Sequence, residues 1–341
     1  MIRIGVLGTA AIAERRMIPA ILKEPDFEYA GVAIATREET GTGCTEEEFR
    51  PVWQRKEEKA AAFAEKFGGE TVAGYEAMLR REDVDAVYIP LPPALHFRWI
   101  MAALQHGKHV ICEKPMTVSA EQSRAAAAEA EARGLALTEN YGFCFHRQMK
   151  RMQEAVRNGS IGELRLVRAA FCFPHRAETD FRYNRALGGG ALLDCGGYTV
   201  KAASAFLGPD AEITESELVI TPGHEVDVYG SATMRDGTGL SAQLSFGMDN
   251  AYVCELAVWG STGSITATRA FTAPDGFPAP VILRQGSETT EAAETDDQFA
   301  EILREFRDCI AGEGRRKQEY ESILRQSRLT ETILKGRTIT L

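Results

Sequence analysis

"IRIGVLGTAAIAERR", residues 2–16, decides how the rest of the chain is read. Ile2 to Leu7 is an apolar run that fits a buried strand at the very start of the chain, and Gly8 ends it. Helical spacing begins within a few residues and continues through "ERRMIPAILKE". Strand, small-residue turn and helix, in that order, is how a dinucleotide-binding βαβ unit opens. The G-x-G-x-x-G spacing is present here only as Gly8-x-Ala10-x-x-Ala13. Gly8 supplies the tight turn. Alanine, the next smallest residue, still lets a pyrophosphate and the helix approach closely. A ligand-free turn of small residues is the plainer alternative; the place at the first strand and first helix, with further βα units after it, favours the nucleotide site.

Residues 28–141 alternate. "EYAGVAIAT" (28–36), "VDAVYIPLP" (84–92), "HVICEK" (109–114) and "LALTENY" (135–141) read as strands. Between them "EEKAAAFAEKFGG" (57–69), "ALHFRWIMAALQHG" (94–107) and "SAEQSRAAAAEAEARG" (119–134) read as helices ending at Gly68, Gly107 and Gly134, the last opened by a Ser119–Gln122 capping box. Alternation of this kind predicts an α/β Rossmann domain with a doubly wound parallel sheet. After about residue 160 the texture changes to consecutive β-rich runs: "LRLVRAAFCF", "EITESELVI", "VDVYGSATMR", "GLSAQLSFG", "YVCELAVWG" and "GSITATRAF". These predict an antiparallel sheet, followed by a helix over 296–312 and a helical tail near 319–335. The expected division is 1–120 and 121–341, since 341 residues exceed one comfortable core.

Composition excludes several classes. A net charge of −10 with no basic run makes nucleic acid and anionic membranes poor partners, though it leaves a phosphorylated small molecule open. Seven dispersed cysteines give neither a disulfide framework nor zinc spacing. The N-terminal apolar run is short and broken by Gly5 and Gly8, unlike a signal peptide, and no run approaches the ~18 apolar residues of a membrane span. The expected setting is cytoplasmic.

Chemistry is expected where strands end. The second strand closes with Thr36 and Arg37 rather than an acid; a hydroxyl and a guanidinium suit a ribose 2′-phosphate, hence NADP(H). Residues 38–57 read as a surface loop inserted beside that pocket. "EKP", Glu113-Lys114-Pro115, leaves the strand 109–112, placing Lys114 where it can stabilise a developing alkoxide near the nicotinamide. In "LGGGALLDCGGYTVKAA" (187–203), Asp194 and Tyr198 lie four apart, on one face of a helix that glycines allow to pack closely. A phenol beside a carboxylate is a proton-delivery pair. His146, His175 and His224 read as packing or surface residues, and Trp99 and Trp259 as core.

With "GTAAIAERRMIPAI", "AVYIPLPPALH", "HVICEKPMTV", "IGELRLVRAAF", "FRYNRALGGGALLDCGGY" and "WGSTGSITATRAF", the chain resembles the Gfo/Idh/MocA family of NAD(P)-dependent oxidoreductases over nearly its whole length. The resemblance implies a Rossmann domain plus an α+β domain with a large open, mainly antiparallel sheet, hydride transfer at a sugar or polyol carbon, and a homodimer or homotetramer. Many members carry histidine four residues after the aspartate. Tyr198 is similar instead to the branch of glucose–fructose oxidoreductase, dihydrodiol dehydrogenases and nucleotide-sugar 3-ketoreductases. The nearest likeness implies NADPH-driven reduction at C3 of a dTDP-linked 3-keto-6-deoxyhexose. An NADP-dependent dehydrogenase of free sugars or trans-dihydrodiols, and a non-catalytic NADP-binding sensor, are the alternatives. The resemblance assigns the cofactor to Gly8, Thr9, Ala10, Ala11, Ile12, Thr36, Arg37, Leu91, Pro92, His96, Glu113, Lys114 and Asn140. It assigns the substrate to Lys114, Tyr141, Arg182, Asp194 and Tyr198, with Tyr198 donating the proton, Lys114 steadying the oxyanion and Asp194 orienting; no metal is implied. The chain departs from relatives at Cys144 and Arg147.

Overall fold

The structure, a computed structural model, describes residues 1–41 and 43–341. It divides into two compact units, and by contact the division does not fall at residue 120. The first unit holds Met1–Thr117, Glu121–Asn140 and Ile302–Leu324; the second holds Val118–Ala120, Tyr141–Glu301 and Arg325–Leu341.

In the first unit six strands form one parallel sheet: β1 (Ile2–Leu7), β2 (Phe27–Ile34), β3 (Glu70–Ala73), β4 (Ala86–Ile89), β5 (His109–Cys112) and β6 (Leu137–Glu139). Their order is β3-β2-β1-β4-β5-β6, so the winding reverses between β1 and β4. Ile4, Val6 and Leu7 on β1 and all of β4 are buried, as strands covered on both faces must be. The sequence reading missed β3, a four-residue edge strand with little apolar content.

The 38–57 stretch is a correction. It is largely helical: Arg37–Thr40 form a short helix, and Glu46–Phe67 a long one that absorbs the helix expected from 57. Residue 42 of that stretch lies outside the described residues. Thr45 caps the long helix reciprocally with Glu48, which offsets Pro51 in its second turn. Ile302–Leu324 returns to complete this unit. Tyr320 and Ile323 join the core beside Val110, Ala126, Ala130 and Leu137, and Arg304 forks onto Glu24 at 2.7 and 3.1 Å.

The second unit carries a nine-stranded sheet. Its strands are β7 (Leu164–Cys172), β8 (Glu212–Ile220), β9 (Tyr229–Arg235), β10 (Ser241–Gly247), β11 (Val253–Gly260), β12 (Gly263–Ala267), β13 (Ala279–Gln285), β14 (Glu288–Glu294) and β15 (Arg337–Thr340). The order is β14-β13-β12-β11-β7-β10-β9-β8-β15. Pairing is mainly antiparallel, with β7–β10 and β8–β15 parallel. One face packs on a core of Val167, Ala169, Phe171, Leu244, Phe246 and Leu256 with helix residues Leu192, Val200 and Ala203. Trp259 is a second correction: it stands 40% exposed on β11, with Arg168 over its ring at 5.2 Å. Trp99, only 3% exposed, is core as expected. Among the described residues no helix is long and apolar enough to cross a membrane.

Candidate active site

In the first unit the turn after β1 has the geometry that only glycine adopts readily. Gly8 sits at φ +100°, and a Cβ there would meet Leu91 at 3.0 Å and the Tyr75 hydroxyl at 3.2 Å. Thr9, Ala10, Ala11 and Ile12 come next, partly or fully exposed, and the helix then passes through a π turn, Ala13–Met17. This turn leaves the carboxyl end of β1, beside β4, where the winding reverses and a doubly wound sheet opens a crevice for ligands.

Thr36 and Arg37 stand at the end of β2 as expected, and both are partly engaged. Thr36 caps the short helix reciprocally with Glu39. Arg37 donates to the Cys44 carbonyl at 3.2 Å and pairs with Glu38 at 3.3 Å and Glu46 at 3.6 Å. Glu39 also accepts the amides of Tyr75 and Glu76, both at 2.9 Å, which fixes the strand-end loop.

At the exit of β5 the charges do find partners. The Glu113 carboxylate accepts from the Tyr88 hydroxyl at 2.5 Å and the Asn140 amide at 2.6 Å. Burial raises the Glu113 pKa, against those two hydrogen bonds and neighbouring Lys114, which pull it down. The Lys114–Pro115 peptide is cis. Met116 N–H donates to Glu139 at 2.7 Å. His96 revises its expected role. It is wholly buried on the helix Pro93–Gln105, with Nδ1 2.8 Å from the Pro115 carbonyl and Nε2 2.7 Å from the Leu91 carbonyl. Each ring nitrogen faces a backbone carbonyl, of which the neutral ring that burial favours donates to one, and the buried ring packs between the two loops. Leu91 and Pro92 lie in one of those loops. Tyr88 was missed in the sequence; its only signal was a polar ring near the end of an otherwise apolar strand.

In the second unit, residues 191–204 are helical and open with a π turn, Leu192–Gly196. π turns of this kind recur at functional sites. Gly190 and Gly197 let this helix sit where no side chain could: a Cβ on Gly190 would lie 2.4 Å from Asp227 Oδ1, and one on Gly197 2.2 Å from the Tyr141 hydroxyl. Asp227, also missed, caps the helix by accepting Leu192 N–H at 2.7 Å; burial pushes its pKa up to about 6. Asp194 is paired with Arg182, whose Nε donates to Oδ2 at 2.8 Å while Nη1 donates to Asp180 at 3.0 Å. Burial works against the Arg182 charge, yet Asp194 and Asp180 more than offset it and its pKa rises.

Tyr198 sits partly buried in an aromatic cage. Its ring lies 5.1 Å from Tyr141, 5.2 Å from Phe171, 5.7 Å from Phe143 and 5.9 Å from Phe271. The cage fixes the direction of the phenol. Tyr141 is 1% exposed, so it shapes this cage rather than contacting substrate. His146, also 1% exposed, packs as expected.

These residues fit a dinucleotide carrying an extra phosphate. The Gly8 cradle admits a backbone-close ligand, and the end of β2 offers a hydroxyl and a guanidinium where an acid would repel a 2′-phosphate.

Comparison with known proteins agrees. The pattern of an oxidoreductase family with an NAD-binding Rossmann fold matches residues 2–141, and that of the GFO/IDH/MocA C-terminal domain matches residues 149–266. A dTDP-3,4-didehydro-2,6-dideoxy-alpha-D-glucose 3-reductase from Actinomadura kijaniata is 39% identical over 98% of this chain and 95% of its own. A D-xylose 1-dehydrogenase (NADP(+)) from Haloferax volcanii is 32% identical, covering 94% and 92%. Among solved structures, a 3-ketoreductase from Actinomadura kijaniata in complex with NADP and TDP-benzene superposes with a TM-score of 0.90 at 38% identity, over 100% of this chain and 99% of that one. Sheet order and these likenesses agree, and the chain belongs to the Gfo/Idh/MocA family of oxidoreductases.

Proposed function

We propose that the chain is an NADPH-dependent ketoreductase acting at C3 of a dTDP-linked 3-keto-6-deoxyhexose. The observation that carries this reading is Tyr198: a phenol held by aromatic packing on the helix that also carries the Arg182-paired Asp194. When bound, NADPH supplies the hydride. Gly8 to Ile12 receive its pyrophosphate, and Thr36 and Arg37 its 2′-phosphate. Arg37 then exchanges part of its pairing with Glu38 and Glu46 for a doubly charged group.

The substrate carbonyl oxygen gains negative charge as the carbon is reduced. On this reading Tyr198 donates a proton to it and the Lys114 ammonium stabilises it. Glu113, pinned by Tyr88 and Asn140, fixes the backbone from which Lys114 extends. Asp194, held in place by Arg182, orients substrate hydroxyls. The close 3-reductase likeness, over nearly both chains, supports the substrate class. The enzyme works in the cytoplasm as a homodimer or homotetramer.

A second reading, oxidation of free aldoses with NADP, is favoured by the likeness to the xylose dehydrogenase. The two separate in one assay: NADPH consumption with an enzymatically generated dTDP-3-keto-6-deoxyhexose beside NADP reduction by a panel of free sugars. Tyr198→Phe is expected to lose about 100-fold or more in turnover while still binding NADPH. Lys114→Ala should behave likewise. Turnover at the native rate in either variant would remove that residue from the mechanism, and activity only with free sugars would favour the second reading.

A further inference from the structure

Away from these residues, the second unit brings two histidines and a glutamate together. His175 and Glu178 lie on the segment after β7, and His224 in the turn between β8 and β9. One donor atom from each falls within 4.8 Å of the others.

The hydrogen bonds say which atoms face inward. The Tyr183 hydroxyl accepts the Arg176 amide at 3.0 Å and donates to the Met248 carbonyl at 3.2 Å. Its remaining lone pair takes His175 Nδ1–H at 3.1 Å, which leaves the His175 lone pair on Nε2. That Nε2 lies 2.9 Å from Glu178 Oε1. His224 Nδ1 lies 3.0 Å from the Thr221 hydroxyl, which can accept its proton. Its Nε2 is buried, has no hydrogen-bond partner and lies 3.9 Å from Glu178 Oε2. Asp249 adds a carboxylate 3.9 Å from the Nδ1 edge of His175. Two ring nitrogens thus converge on a carboxylate, each ring backed at Nδ1 by a hydroxyl. Rings held at Nδ1 by a hydroxyl while Nε2 points inward at a carboxylate match the outer sphere of metal-bound histidine.

We propose that His175, Glu178 and His224 bind a divalent transition-metal ion of the zinc class, with water in the fourth position. The exposed Glu178 side chain is free to close the last ångström or two. The ion clips together two segments that each brace the helix 191–204. Tyr183 adjoins Arg182, which holds Asp194, and the turn bearing His224 runs into Asp227, which caps that helix. The expectation that both histidines are mere packing or surface is revised accordingly.

Equilibrium dialysis of the full, metal-stripped chain against zinc chloride tests this, with cobalt absorption as the spectroscopic probe. Expected are one saturable equivalent, cobalt d–d bands without a thiolate charge-transfer band, and loss of binding in His224→Ala and in Glu178→Gln, an exposed change that leaves the fold intact. Tyr183→Phe, which only removes the outer hydroxyl, should weaken binding about 10- to 100-fold. Equal uptake by the native chain and the His175→Ala/His224→Ala double variant would overturn the proposal. So would a thiolate band, or no uptake at millimolar zinc.

Discussion

Asp227 shows what a single buried carboxyl does to the energetics of the site. Its folded pKa of about 6 stands above the ordinary 3.8 because burial penalises the charge more than the helix amides relieve it. The folded chain therefore holds this proton more tightly than the unfolded chain. Stability from this group is full below about pH 4 and is lost as pH rises through 6. The shift corresponds to about 3 kcal/mol. Asp227→Asn keeps an acceptor for Leu192 N–H without the charge, so it should erase that dependence. Chemical denaturation of both proteins at pH 4.5 and 7.5 checks this: a stability difference that is the same at both pH values would remove Asp227 as the cause. Arg182→Met removes the cation that Asp194 and Asp180 share in a largely buried place, and a loss of about 3 kcal/mol is expected in urea unfolding. Sequence reading put Asp194 and Tyr198 on one helix, as the structure has them, from their spacing of four beside glycines. It missed Asp227 and Tyr88 because their partners, Leu192 and Glu113, are distant in the chain.

Whether an element could be read beforehand depended on how much apolar surface it buries. β4 is buried throughout and β1 from Ile4 onward, and both were plain. β3 and β15 each bury no residue, and β14 has none fully buried either; these were missed. β13, interrupted by Pro280, was missed with its partner. The missed β3, β14 and β15 are edges of their sheets, where short, polar strands discourage pairing with another chain. The helix from Glu46 carried a legible Thr45–Glu48 capping box, but Pro51 and a mostly charged surface hid it. On the helix 191–204 packing reverses an intrinsic preference. Alanine normally favours a helix over glycine by about 1 kcal/mol. Gly197→Ala should instead destabilise by about 1–3 kcal/mol, because its methyl would press on the Tyr141 hydroxyl. Adding Tyr141→Phe removes that oxygen and should restore most of the loss; thermal unfolding of the two single variants and the double one would show it. No rescue would mean that some other contact sets the cost.

For the molecule, the decisive feature is that the first unit is not one stretch of sequence. The doubly wound sheet was legible from alternation, and the family match at residues 2–141 covers its strands. What alternation does not reveal is that Ile302–Leu324 belongs there, with Tyr320 and Ile323 in the core and Arg304 on Glu24. A fragment of residues 1–141 should accordingly melt without cooperativity and bind NADPH at least about tenfold more weakly than the full chain, an expectation that calorimetry and fluorescence titration check. Native-like melting and affinity in the fragment would show the late segment to be dispensable. Synthesis adds a temporal side to the same connectivity. A ribosome delivers the chain from its first residue onward, and most domains exploit that order by folding as they emerge. Here β1 to β6 leave the exit tunnel long before Ile302 is translated. The nascent sheet waits for its last helical segment while Tyr141–Glu301, most of the second unit, is being made, so a premature stop near residue 300 should disable the cofactor site although every residue that would touch the cofactor has already been made.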